Sequence, residues 1–146
     1  MPLPYSMDIL QNADLQPYNT FHVPAHAAPL ARFHSVEELR ALLAEPGLKD
    51  LPRLIVGGGS NMLFTRDWPG VVLLNAIEGM AVVGETEDHV TVRSGAGVVW
   101  HEFVSYCVSN GWGGIENLSL IPGKVGATPM QNIGAYGVEI KDVFDH

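Results

Sequence analysis

The sequence predicts an α/β (α+β) fold built as two small lobes. Short apolar runs typical of strands alternate with two amphipathic helical patterns along the 146 residues. Glycine-rich turns follow two of the predicted strands, at residues 57–59 and 95–97. The composition is 47% hydrophobic and 16% charged, as in a globular domain with a real core. We expect the two lobes to divide near residues 75–79.

The composition also excludes several classes of protein. The net charge is −8, from 16 acidic and 8 basic residues, and the basic residues are scattered singly along the chain. Neither nucleic acid nor an anionic membrane is therefore an expected partner. No run of about 18 apolar residues is present, and the start of the chain lacks the basic region of a secretory signal. The single cysteine, Cys107, agrees with a reducing compartment. We therefore expect a cytoplasmic protein.

The first part of the chain predicts an extended N-terminal lead, residues 1–18, and a first α/β lobe, residues 19–78. Ser35 and Glu38 form a capping box, and Pro46-Gly47 ends the helical pattern that follows. The apolar stripe of this helix consists of Val36, Leu39, Leu42 and Leu43. Residues 54–56 and 71–74 are continuous apolar runs, so both predict buried strands.

The second lobe is predicted over residues 79–146. Residues 80–83 and 89–94 flank a polar turn and predict a β-hairpin. A second helix follows, and Gly111 stands where a left-handed cap belongs. Its stripe consists of Trp100, Phe103, Val104, Cys107 and Val108. After a long loop, residues 138–146 predict a strand-like run without a cap.

The first candidate for chemistry is Gly57-Gly58-Gly59-Ser60-Asn61, directly after a predicted strand. Glycines let backbone N–H groups approach an oxyanion, and a hydroxyl and an amide add neutral donors, so a diphosphate could be held without lysine. A tight strand turn without a ligand is the alternative. Met62 replaces the third glycine of a dinucleotide fingerprint, and Trp68-Pro69-Gly70 leaves no room for a helix. The pattern therefore argues against a Rossmann-type fold.

A long apolar segment, residues 112–137 (WGGIENLSLIPGKVGATPMQNIGAYG), is the second candidate. Its only charges are Glu116 and Lys124, whereas a surface linker of that length would normally be polar. We interpret it as a wall that lies against a flat ligand. Gly95-Ala96-Gly97 opens a helix and offers donors to an anion, although helix packing explains these small residues equally well. Together the three features favour a flavin nucleotide.

Other groups of polar residues are weaker candidates for a functional site. His22 and His26 have helical spacing, but Pro24 lies between them and no carboxylate or thiol follows, so we expect no metal site. His101 and Ser105 lack an orienting acid, which argues against a nucleophilic triad. Cys107 falls on the apolar stripe and is expected in the core.

Five motifs carry a resemblance to a known family. In order and spacing, the chain resembles the UDP-N-acetylenolpyruvoylglucosamine reductase family at Asn19-Thr20-Phe21, GGGSNMLF (57–64), SGAGVVWHEFV (94–104), ENLSLIPGKVGATP (116–129) and QNIGAYGVEI (131–140). The QNIGAYG segment after a PGxVG turn is the most specific. The resemblance implies an FAD-binding fold of the vanillyl-alcohol oxidase type. It also implies a bacterial flavoenzyme that takes hydride from NADPH onto FAD and reduces UDP-N-acetylglucosamine enolpyruvate to UDP-N-acetylmuramate for peptidoglycan.

The resemblance further implies which residues hold FAD. The diphosphate would be bound by Gly57, Gly58, Gly59, Ser60 and Asn61. The ribityl chain and isoalloxazine would be lined by Ile121, Pro122, Gly123, Gly126, Ala127, Thr128, Gln131, Asn132, Ile133, Gly134, Ala135, Tyr136 and Gly137.

The family's chains continue into a substrate-binding domain that supplies the catalytic arginine, serine and glutamate. None of those positions lies within these 146 residues, so we expect a truncated chain that holds no catalytic residue and is inactive alone. The nucleotide-sugar substrate would belong to the intact protein, and a severed sheet edge would favour self-association.

Two alternatives remain open. The domain could be a noncatalytic nucleotide-binding or protein-interaction module that presents its apolar loop to a partner. It could also be another oxidoreductase of the same flavin fold, such as an alcohol or lactone oxidase. The QNIGAYG pattern and the lack of a histidine near the loop for covalent flavin attachment argue against the latter.

Overall fold

A computed structural model describes residues 8–145 of the chain. These residues form two compact units that divide between Ile77 and Glu78. Each unit has its own buried apolar residues. The assignment of residues 19–78 and 79–146 to two lobes of one FAD-binding domain stays a prediction.

The first unit is built on a four-stranded sheet. Its strands are β1 (Ile9–Asp14), β2 (His26–Phe33), β3 (Arg53–Val56) and β4 (Val71–Asn75), and helix α1 (Val36–Ala44) links β2 to β3. The order across the sheet is β1-β2-β4-β3, with β1 antiparallel to β2 and the other three strands parallel. The central strand β4 is buried over its first four residues, as the continuous apolar run predicts.

Two features of this sheet differ from the sequence predictions. Strand β1 lies within the segment predicted only as an extended lead. The sequence did not indicate this strand because most of its residues are exposed and give no alternating pattern. The prediction that residues 54–56 form a buried strand is confirmed for Val56 but is wrong for Ile55, which is 59% exposed, while Leu54 is half-buried. Among the described strands β3 pairs only with β4, so it is an edge strand with one open side.

Helix α1 begins and ends where the sequence predicts. The Ser35 hydroxyl oxygen accepts a hydrogen bond from the Glu38 N–H at 3.0 Å. The Glu38 carboxylate accepts from the His34 N–H at 2.7 Å, one residue earlier than in the usual capping box. The helix ends at Ala44, and the N–H of Glu45 closes the last turn on the Leu42 carbonyl before Pro46.

The second unit begins with the predicted hairpin. Strands β5 (Met80–Glu85) and β6 (Val90–Ser94) pair antiparallel, with a register shift between Val82 and Gly84. The N–H of Thr86 donates to the His89 carbonyl at 2.8 Å and closes the turn. In the described part of the chain this sheet has two strands only.

Helix α2 (Trp100–Ser109) follows and is also confirmed. Gly111 has φ +77°, and its N–H donates to the Val108 carbonyl, as a left-handed cap requires. The helix buries three residues in a core that continues beyond the helix; this core consists of Trp100, Val104, Cys107, Ile115, Leu118, Ile133 and Ile140.

The segment predicted as a long loop contains short regular elements. These are 3₁₀ helices Glu116–Leu118 and Val125–Ala127, helix α3 (Thr128–Gln131) and strand β7 (Gly134–Ala135). Strand β7 pairs with β8 (Val138–Glu139).

The predicted strand-like run over residues 138–146 is wrong beyond β8. A 3₁₀ helix, Ile140–Asp142, follows at once, and a reciprocal cap stabilises it because Asp142 accepts from the Glu139 N–H at 3.1 Å. His146 lies outside the described residues. No helix within residues 8–145 is both long enough and apolar enough to cross a membrane.

Candidate functional site

The first candidate element is the glycine loop, residues 57–61, at the carboxyl end of β3. The strand ends at Val56, which is buried in the first unit's core. After the loop, Met62 and Phe64 return to that core, and residues 57–70 contain no helix. The structure therefore confirms that this loop does not open the crossover helix of a Rossmann-type fold.

At Gly59 the backbone requires glycine. Its φ is +65°, in the left-handed region, and a Cβ atom there would lie 2.0 Å from the Tyr18 carbonyl oxygen. Any side chain would displace the backbone of one segment or the other. The close approach explains this glycine by packing, and it also fixes the path of the loop.

Two carbonyl groups of the glycine loop, those of Gly59 and Ser60, accept hydrogen bonds from Thr20. The Thr20 N–H donates to the Gly59 carbonyl at 3.2 Å, and the Thr20 hydroxyl donates to the Ser60 carbonyl at 3.3 Å. Within residues 8–145, the N–H groups of residues 58–61 donate to no other group. A row of neutral, unpaired donors at a strand end is suited to an anionic oxygen.

The second glycine turn, Gly95-Ala96-Gly97, has one N–H group with a partner, whereas the N–H groups of Ala96 and Gly97 donate to no group within residues 8–145. The Gly95 N–H donates to the Gly79 carbonyl at 2.8 Å. The first N–H of α2, that of Trp100, donates to the Gly123 carbonyl at 3.0 Å. Packing accounts for these two bonds, and with the N–H groups of Ala96 and Gly97 unpaired, anion binding at this turn stays a prediction.

That turn holds the next predicted site residues in place. The N–H groups of Val125 and Gly126 donate to the carbonyls of Val98 and Ala96 at 2.9 and 3.0 Å. A Cβ atom on Gly126 would lie 2.7 Å from the Ala96 Cβ, so the two turns are in direct contact. This pairing positions the segment that includes Ile121, Pro122, Gly123, Gly126 and Ala127.

Thr128 is the buried polar residue of this segment. It is 5% exposed, and its hydroxyl donates to the Val125 carbonyl at 2.8 Å. The hydroxyl therefore stabilises the turn into α3, and its proton is taken by the Val125 carbonyl.

The predicted residues 131–137 fold into a tight reversal. Asn132, Tyr136 and Gly137 have φ values of +41°, +53° and +83°, and Ile133 is anchored in the core. An open depression of about 590 Å³ brings four of the predicted residues together with four that the sequence did not indicate. Its lining is Asn132, Gly134, Ala135, Gly137, Val138, Glu139, Lys141 and Asp142.

The charges at this depression are partly compensated. Lys141 forms an ion pair with Glu139, and this carboxylate raises the pKa of the lysine ammonium. Two acidic residues against one basic residue leave the lining net negative at neutral pH, so it is a poor place for a diphosphate.

Large apolar side chains of the second unit remain exposed. Leu120, Met130 and Tyr136 are 75%, 92% and 90% exposed, and Leu120 and Tyr136 both have positive φ. Holding such residues in a strained backbone conformation with their side chains in water is typical of a functional surface. These three residues lie in the segment predicted as an apolar wall, and the role of that wall toward a flat ligand stays a prediction. Ile133 and Thr128 of the same segment are buried.

Other candidate chemistries have little support. No group of three or more His, Cys, Asp or Glu side chains within residues 8–145 could hold a metal ion. Cys107 belongs to the core as predicted, and burial raises the pKa of its thiol. His101 pairs with Ser119 at 2.9 Å and not with Ser105, a contact that no sequence signal indicated.

Comparison with known families gives one match over most of the chain. The FAD binding domain family matches residues 27–146, a range that includes both candidate loops.

Curated proteins and a solved structure are also similar. Proteins named UDP-N-acetylenolpyruvoylglucosamine reductase from Azoarcus sp. (strain BH72) and Bacteroides fragilis are each 53% identical, over 94% and 91% of this chain. The chain spans only about 40% of the length of these relatives, 41% and 40% respectively. The crystal structure of the reductase of that name from Thermus caldophilus matches with a TM-score of 0.67 at 23% identity, over 94% of this chain and 46% of its own. This structure supports the fold.

Proposed function

The chain belongs to the FAD binding domain family, and we propose that it is the FAD-holding part of a UDP-N-acetylenolpyruvoylglucosamine reductase. Its cofactor is FAD. The intact enzyme, we propose, uses NADPH to reduce UDP-N-acetylglucosamine enolpyruvate to UDP-N-acetylmuramate for peptidoglycan, in the cytoplasm. The resemblance of the five motifs and the 53% identity to named reductases support this assignment.

One observation carries the proposal for this chain's own residues. The glycine loop offers a row of unpaired backbone N–H groups, with the Ser60 hydroxyl and Asn61 amide beside them. No lysine or arginine lies within residues 57–61, so a bound diphosphate would be held by neutral donors. These residues fit the FAD diphosphate on that ground.

As the resemblance implies, we propose that residues 121–137 line the ribityl chain and the isoalloxazine. FAD, when bound, supplies the group that accepts and passes on hydride. The residues of 121–137 would cover an aromatic ring system and exclude water from it, because the segment is apolar and closely held by residues 96–100. The N–H groups of Leu120, Ile121 and Gly123 donate to no group within residues 8–145 and would orient polar edges of the cofactor.

We assign no catalytic residue to this chain. The histidine and serine that lie together, His101 and Ser119, have no carboxylate hydrogen-bonded to them in the described part of the chain. The nucleotide-sugar substrate and the proton donor would therefore belong to the remaining length of the relatives. The 146-residue chain alone would bind FAD without reducing the substrate.

The experiment is a titration of the purified chain with FAD, followed by flavin fluorescence, with NAD and ATP as controls. Saturable binding of FAD, at least tenfold tighter than that of NAD or ATP, is the expected result. A chain that is folded by circular dichroism but binds none of the three would overturn the proposal and leave the noncatalytic module in its place. The comparisons do not favour that alternative.

We also propose self-association through the hairpin. Two-stranded sheets are marginal alone, and β5 and β6 have no third strand among the described residues. Val82 and Val83 on β5 are 43% and 48% exposed, so edge pairing between two chains would cover apolar surface. Size-exclusion chromatography with light scattering should show a dimer or larger species, and a monomer at all concentrations would contradict it.

A further inference from the structure

We propose that Thr20 is a positioning residue for the FAD diphosphate, acting through the glycine loop, and that Asn19 fixes Thr20 in place. The inference rests on the proposed function. It deepens that function because it names residues outside the loop that decide how the loop presents its donors.

Asn19 is the anchor of the segment that precedes the sheet's second strand. Its side chain is 2% exposed. The amide nitrogen donates to the carbonyls of Leu15 and Val23 at 2.9 and 3.0 Å, and the amide oxygen accepts from the Val23 N–H at 3.0 Å. A single buried side chain thus joins both ends of residues 15–23 and gives them one conformation.

Thr20 follows this anchor and reaches the glycine loop with two groups. Its N–H donates to the Gly59 carbonyl at 3.2 Å, and its hydroxyl donates to the Ser60 carbonyl at 3.3 Å. The hydroxyl also lies 3.5 Å from the Gly59 carbonyl oxygen. The neighbouring Tyr18 carbonyl approaches Gly59 so closely that no Cβ atom would fit.

These two bonds determine where the loop's donors point. In a trans peptide, the carbonyl of one residue and the N–H of the next point in opposite directions. Because Thr20 binds the carbonyls of Gly59 and Ser60, the N–H groups of Ser60 and Asn61 are directed away from Thr20. Both N–H groups are unpaired within residues 8–145, so they form two adjacent donors for an anion.

These bonds order a glycine-rich loop for an anion although residues 57–61 contain no cation. Three successive glycines have high conformational entropy, and an anion would have to order them on binding. Bonds from an anchored threonine remove that freedom before the anion arrives.

The test compares three variants of the whole chain. Thr20→Val keeps the shape but removes the hydroxyl bond, Thr20→Ser restores the hydroxyl, and Thr91→Val is the matched control on exposed strand β6 of the other unit. We expect FAD to bind about fivefold to tenfold more weakly to Thr20→Val. Thr20→Ser and Thr91→Val should stay within about twofold of the unchanged chain.

A second measurement tests the direction of the donors without any substitution. Amide hydrogen exchange of the unchanged chain should show that FAD protects the Ser60 and Asn61 N–H groups. If FAD binds and these two exchange as before, or if a folded Thr20→Val chain binds as tightly as the unchanged chain, the inference is wrong. Failure of the unchanged chain to bind FAD would instead overturn the proposed function beneath it.

Discussion

The indole N–H of Trp100 donates a hydrogen bond of 2.7 Å to the carbonyl oxygen of Leu118, and both residues are almost completely buried. The next residues of each segment also pair, since the His101 ring nitrogen lies 2.9 Å from the Ser119 hydroxyl. Two successive residues at the start of α2 thus bind two successive residues within the apolar segment of residues 112–137. The wall proposed for the flavin is attached to the helix at this point.

Trp100→Phe should therefore lower the free energy of unfolding by about 1–3 kcal/mol, because the Leu118 carbonyl would be left buried without a donor. Urea unfolding followed by circular dichroism measures this loss. Trp112→Phe is the matched control, since the Trp112 indole packs against Tyr106 and its N–H makes no hydrogen bond within residues 8–145. Equal losses in the two variants would contradict the assigned role of the Trp100 bond.

Gly59→Ala should destabilise the first unit by about 2 kcal/mol or more, through the left-handed backbone and the contact with the Tyr18 carbonyl. The variant should also bind FAD more weakly, because its loop must move. Gly47→Ala is the control, since a Cβ atom there meets nothing within 4 Å, and its stability should change by less than about 1 kcal/mol. Thermal unfolding and FAD titration measure both effects, and a Gly59→Ala chain as stable as Gly47→Ala would refute the packing argument.

Cys107 should resist thiol reagents in the folded chain. Burial raises the pKa of its thiol, so the reactive thiolate is scarce and shielded. Maleimide labelling at neutral pH should be slow in buffer and fast in denaturant. Labelling at the same rate in both would show that the helix opens freely.

The same residue gives a pH dependence of stability. Because the folded pKa is raised, the unfolded thiol ionises first as the pH rises. Its contribution to stability is complete below the unfolded pKa and is lost as the pH rises through the folded pKa. The urea midpoint should fall between neutral pH and about pH 9.5, and less so in Cys107→Ala.

Glu116 makes the stability of the chain depend on pH in the opposite direction, in the acid range. The hydrogen bonds from its own N–H and from the Gly114 N–H, the latter at 2.6 Å, lower the pKa of its carboxyl group. Its contribution is present above the unfolded pKa and is lost as the pH falls through the lowered folded pKa. Glu116→Gln should make the urea midpoint less sensitive to acid.

Glu87→Gln is the comparison for that measurement. Its carboxylate lies in the exposed hairpin turn and accepts no hydrogen bond within the described residues. The acid sensitivity of this variant should match that of the unchanged chain. If the two glutamine variants behave alike, the bond to Gly114 contributes nothing to stability.

Local signals predicted much of the fold. The cap at Ser35, the left-handed Gly111, the hairpin and the continuous apolar run of β4 each depend on neighbours a few residues apart, and each is confirmed. Such features can be predicted from the sequence because the interactions that stabilise them join residues within one turn or one strand.

Features that depend on distant partners were not predictable in the same way. Strand β1 pairs with β2, and β3 lies at the edge of the sheet. Both features depend on which strands pair, and the sequence of a short apolar run does not specify its partner strand. At the candidate site, the glycine loop could be selected by composition, but Thr20 lies 39 positions before Gly59. Only the fold joins them, and the predicted roles of residues 57–61 and 121–137 toward FAD stay predictions.

The strand order of the first unit sets a sequence of events during synthesis. Strand β4 lies between β2 and β3 in the sheet but follows both in the chain. A nascent chain that has reached residue 70 contains the residues of α1 and of the glycine loop. Strands β2 and β3 do not pair with each other, so neither can pair with its common neighbour β4 until β4 is translated. The glycine loop is therefore translated before the strand that gives it a fixed sheet, and it reaches its final position only when Val71–Asn75 has left the ribosome.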